Sequence, residues 1–131
     1  MAKAKPKTKT PFTGRWRIVS MSAWSDDYLD EEVQAFIEFD PKHYGSFQFG
    51  YVQAEIDYRM TNREGKPAVE YSFEGYDHGG GEEMSGRGWA ILGADELHGM
   101  IFFHGGDDSD FVAKRAEAPT TAKRKKRADE P

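Results

Sequence analysis

The densest group of chemistry-bearing residues is His104, Asp107, Asp108, Ser109 and Asp110, an imidazole, three carboxylates and a hydroxyl within seven residues. Carboxylates spaced this way bind a hard divalent cation, and an imidazole beside them can act as a general base. The same stretch also reads as a tight hairpin turn. In that reading Gly105-Gly106 supplies positive φ, while Asp107 and Ser109 hydrogen-bond the turn backbone. The turn is the expectation, because acidic turns are common and metal sites usually recruit distant ligands. His104, Asp107 and Asp108 stay as candidate metal ligands or acid–base groups. No catalytic residue is assigned, and no metal or other cofactor is expected.

A second candidate, His78-Gly79-Gly80-Gly81, matches the glycine-rich oxyanion element of some esterases. Its partner, a Gly-x-Ser-x-Gly nucleophile elbow, occurs nowhere in the chain, so a solvated loop is expected. There is no phosphate-cradling Gly-x-x-x-x-Gly-Lys, no His-Glu-x-x-His and no calcium loop. Zero cysteines exclude disulfides, a thiol nucleophile and thiolate metal sites, and fit a reducing compartment. The aromatics Trp24, Tyr28, Tyr44, Tyr51, Tyr58, Tyr71, Tyr76 and Trp89 line a cavity if there is one, and are ordinary packing if there is not. Tyr71, Trp89 and the 104–109 group are the candidate ligand-binding residues.

These residues need strands to hold them. Period-2 alternation dominates between the chain ends. Trp16, Ile18 and Ser20 alternate with Arg15, Arg17 and Val19 over about 14–22. Ser25 to Val33 reads as a short helix with Ser25 as N-cap and acids in its first turn. Strands follow at Phe36–Asp40, Ser46–Gly50, 52–61 and 68–74, with Gly50 expected as a bulge. In the fourth, Val52, Ala54, Ile56, Tyr58 and Met60 share one face. Asp77–Glu83 reads as the longest irregular loop. Gly88–Leu92 and Leu97–Phe103 form a hairpin, and Asp110–Arg115 is the last strand. The fold class is therefore all-β: an antiparallel up-and-down barrel of about eight strands with one short helix after the first. An open sandwich is the alternative.

The 131 residues carry 18 Lys plus Arg against 23 Asp plus Glu, for a net charge of −5. That sum divides unevenly. Residues 1–10 are +4, residues 116–131 are +2, and the middle is −11 and holds all 18 aromatics. Residues 1–11 and 116–131 have too few apolar side chains to offset ordering and are expected to be disordered basic tails. The domain is 12–115. No apolar run approaches the roughly 20 residues that span a bilayer. The N-terminal charge is followed by no apolar signal segment, so a soluble, cytoplasmic protein without membrane contact is expected.

Phe12-Thr13-Gly14-Arg15-Trp16 resembles the Gly-x-Trp opening of lipocalins and avidins, the calycin-type barrels. That resemblance implies that a basic residue ending the last strand packs across the tryptophan and closes one barrel end. Arg115 stands at that position, so Gly14, Trp16 and Arg115 are the expected closure. The chain is also similar over 12–115 to uncharacterised bacterial proteins with Ser-Phe-Gln-Phe, Gly-Arg-Gly-Trp-Ala and Phe-His-x-Gly-Asp-Asp-Ser segments. Here these are Ser46–Phe49, Gly86–Ala90 and Phe103–Ser109. The likeness brings no activity with it.

Three functions follow as expectations. The first is a non-enzymatic barrel that binds a small molecule or protein. The second is a metal-assisted or acid–base enzyme using His104, Asp107 and Asp108. The third is an interaction protein whose basic tails, Lys123 to Arg127 above all, attract nucleic acid weakly.

Overall fold

The computed structural model describes residues 9–116; the basic stretches 1–8 and 117–131 lie outside the described residues. Eight antiparallel strands form one closed barrel in sequence order: β1 (Gly14–Met21), β2 (Phe36–Phe39), β3 (Tyr44–Phe49), β4 (Val52–Arg63), β5 (Lys66–Asp77), β6 (Glu82–Gly93), β7 (Glu96–Phe103) and β8 (Asp108–Arg115). The helix α1 (Asp26–Leu29) lies between β1 and β2. Closure by β1 against β8 removes the free edges that a sandwich would keep.

Alternation decides which face each side chain takes. Val52, Ala54, Ile56 and Tyr58 point inward from β4, and Val69, Tyr71 and Phe73 from β5. With Trp16, Ile18, Ile37, Phe39, Phe47, Phe49, Leu97, Ile101 and Phe111 they fill the interior. An eight-stranded barrel is just wide enough for such filling. Both ends are stoppered as well. Phe12, fully buried, packs edge-on against Phe39 at one end. At the other, Leu29 of α1 is buried, and Trp24 packs on Phe49 and Phe103.

Several local expectations are corrected. A β-bulge between Ile18 and Ser20 turns Met21 inward in place of Ser20. The helix is one turn long, with Ser25 Oγ accepting from the Tyr28 amide. It stops because Asp30, Glu31 and Glu32 stand at its negative end, where cations are favoured. Gly50 is no bulge but, with φ +56, part of the two-residue turn between β3 and β4. Its missing Cβ leaves room for the Tyr28 ring. Met60 shares the inward parity of β4 yet is 44 % exposed, toward the far end of the strand. The supposed long loop after β5 shrinks to residues 78–81, because Glu82 to Ser85 pair with β5.

The tail boundary at residue 11 also moves. Thr10 and Thr13 form a hydrogen-bonded turn: the Thr10 amide donates to Thr13 Oγ1, and the Thr13 amide to the Thr10 carbonyl. Pro11 is tied to the barrel through Arg115. Among the described residues no helix is long and apolar enough to cross a membrane.

Candidate binding surface

Gly14, Trp16 and Arg115 meet at the barrel end closed by Phe12. Strand pairing sets Trp16 opposite Arg115, and the guanidinium lies 3.8 Å from the indole centroid. Arg115 Nη1 donates to the Thr13 carbonyl at 2.9 Å and Nη2 to Pro11 at 2.8 Å, while Trp16 Nε1 donates to Phe12 at 2.9 Å. Gly14, at φ +114, leaves space beside Arg115 Nη1. Partial burial pushes the guanidinium pKa down from its ordinary value. The cluster is a structural lock, its indole N–H and both guanidinium Nη atoms donating to carbonyls of the chain itself.

The 104–110 group is a turn with one member turned inward. Gly105 alone has positive φ, so Gly106 does not share that role. The turn is held by backbone bonds, from Phe103 N to Asp107 O and from Gly106 N to Phe103 O. His104, Asp107 and Asp108 are exposed. Among the described residues no three His, Asp or Glu side chains are grouped to hold a metal ion. Ser109 does not serve the turn. It is fully buried, accepts from the Ala23 amide at 3.1 Å and donates to the Asp110 carbonyl at 2.8 Å. Its role is to pin the chain leaving β1 onto β8.

The glycine-rich segment is likewise self-satisfied. Gly79 and Gly80 amides donate to Asp77 Oδ1, and Gly81 to the Asp77 carbonyl, so these donors already serve the turn itself. Tyr71 and Trp89 send their side chains to opposite faces of the sheet, although both border the smaller of two outer depressions. Tyr71 is buried inside and donates to the Met100 carbonyl at 3.0 Å. Burial pushes its hydroxyl pKa far above the usual value. Trp89 is half-buried on the outside, under the Arg63 guanidinium at 4.0 Å. Of the other aromatics, Tyr58 is internal, Trp24 and Tyr28 help cover the α1 end, and Tyr44 and Tyr76 are 52 % and 39 % exposed.

A broad depression lies outside the barrel. About 1170 Å³ in volume, it crosses β3 to β6 and is edged by Phe36, Tyr44, Tyr76 and His78. Its floor carries Gln48, Gln53, Glu55, Glu74, Glu83 and Ser85. A second, of about 410 Å³, meets it at Asp57 and Ser72. That one presents Arg59, Arg63 and Arg87 around Trp89 and Phe102. Arg87 lies over the Phe102 ring at 5.0 Å.

The outer sheet is thus acidic toward one end and basic-aromatic toward the other. Sequence alternation placed these residues on the solvent face, but their grouping depends on pairing. Glu55 of β4 stands opposite Ser46 of β3 and Glu74 of β5, and Glu74 opposite Ser85 of β6. No local motif signals residues brought together from four strands. No protein-family model, curated protein or solved structure matches the chain.

Proposed function

We propose that the protein is a non-enzymatic, calycin-like barrel that serves as a binding module, and that its partner docks on the outer face of β3 to β6. A cytoplasmic site of action and kinship with calycin-type barrels belong to the same reading, the kinship resting on Trp16 and Arg115. One observation carries the choice of face. The interior is filled and stoppered at both ends, whereas the outer sheet has a depression of about 1170 Å³ with exposed Tyr44 and Tyr76. Amphipathic aromatics of this kind are enriched at protein interfaces.

The test has two arms. A fatty acid and an apolar dye are titrated into the protein, and neither is expected to show saturable one-to-one uptake; such uptake would place the ligand inside and overturn the reading. In the second arm, partners captured from a cell lysate by the native chain are compared with those held by Tyr76→Asp and Trp89→Asp. A protein partner lost by a face variant whose melting temperature is unchanged supports the outer face. A partner retained by both variants overturns it.

A further inference from the structure

We propose that the acidic outer depression takes an extended Lys/Arg segment, and that its resident occupant is this chain's own Lys123-Arg124-Lys125-Lys126-Arg127. This rests on the outer face being the docking surface and supplies the chemistry of its ligand. Glu55 and Glu74 stand directly opposite one another on adjacent strands, a like-charge arrangement that destabilises a sheet. Among the described residues neither joins an ion pair, nor does Glu83 two residues along β6 from Ser85. A cationic ligand relieves that repulsion. Tyr44 and Tyr76 border the depression and are 52 % and 39 % exposed, and aromatic rings attract guanidinium or ammonium groups.

The route to the site is short. The Ala116 amide donates to the Arg15 carbonyl, which places the departing chain beside β1. Arg15 begins a cross-strand row that runs through Glu38, Ser46, Glu55 and Glu74. The chain therefore leaves the barrel level with Glu55 and three strands away. At about 4.8 Å per strand that is roughly 14 Å. The intervening residues, 117–122, reach up to about 20 Å when extended. Five positive charges then arrive at the depression on a short tether, at the high effective concentration that tethering confers. An outside partner that uses this part of the face must displace them.

Zero-length carbodiimide coupling of the full chain at low salt, followed by mass spectrometry of the monomer, tests the assignment. Amide links are expected from Lys123, Lys125 or Lys126 to Glu55, Glu74 and Glu83, and they should vanish at high salt. In a Glu55→Gln/Glu74→Gln variant with unchanged melting temperature, links to the untouched Glu83 should also be lost. Three results each overturn the proposal: no links, links scattered over Asp26, Asp27, Glu31, Glu32 and Glu64, or links found only between molecules. The lysate comparison with Trp89→Asp reads the outer face away from the acidic floor, so the docking reading can survive when the tail assignment fails.

Discussion

At the scale of single residues, Trp16 is where most interactions converge. Its ring is buried under Arg115 and its indole N–H is committed to Phe12. Trp16→Ala is expected to cost about 3–5 kcal/mol, through lost burial and the cavity left behind. Arg115→Lys keeps the charge but cannot reach the Thr13 and Pro11 carbonyls with one planar fork, so it should lose most of what Arg115→Ala loses. Chemical denaturation of the three variants measures this; a neutral Arg115→Lys would reduce the lock to simple charge. Tyr71 governs behaviour in alkali. Its neutral form is the protonated one, and burial holds the proton well above the ordinary value of 10.0. The unfolded chain releases that proton near pH 10, so above this the unfolded state binds fewer protons and stability falls as pH rises. Tyr58 adds to the fall through burial, and Tyr51 chiefly through the Glu31 carboxylate. Tyr71→Phe should lose about 1 kcal/mol at neutral pH and flatten the alkaline decline. Unfolding midpoints measured from pH 8 to pH 12, with tyrosinate absorbance, check both effects.

At the scale of elements, the β4–β5 hairpin contains a correctable strain. Its two turn residues, Glu64 and Gly65, have φ of 55 and 77, the conformation of a type I′ turn. Glu64 has no side-chain advantage there, while Asn is favoured at that position. Glu64→Asn should stabilise by about 1 kcal/mol and raise the melting temperature by about 4–8 °C. A lower melting temperature would show that the turn is not strained. Turns of this kind explain how much of the fold was legible. Alternation in Val52 to Tyr58 and Val69 to Phe73 is local, and it marks the strands without any knowledge of partners. Glu82 to Ser85 carry no such mark; they become strand because β5 continues beside them. The bulge in β1 is equally silent, since it depends on β8. The contact of Trp16 with Arg115 follows from parity once β1 and β8 are neighbours. The stack of Arg63 on Trp89 does not, because it reaches from β4 past β5 to β6. Outer-face grouping is non-local in the same way, which hid the depression behind a row of ordinary polar residues.

At the scale of the whole molecule, the last pairing to consider is β1 with β8. It joins Trp16 to Arg115, nearly the whole described length apart, and folding should accordingly take milliseconds to seconds rather than microseconds. Removing residues through Phe12 deletes a fully buried ring and the Pro11 carbonyl, whereas removing 1–8 touches neither. The first truncation should lower the melting temperature sharply and the second hardly at all; equal losses from both would place a stabilising contact in the first eight residues. The seam has another consequence. Because residues 10–13 and 115–116 meet at one rim, the peptide chain is almost a circle, and the position of its cut is nearly arbitrary. A circular permutant that joins 116 to 9 through a short Gly/Ser link and opens between Ala94 and Asp95 keeps every strand neighbour. It should melt close to the parent, and both new ends would emerge beside one another at the β6–β7 turn, which makes the barrel suitable for insertion into an exposed loop of a host protein.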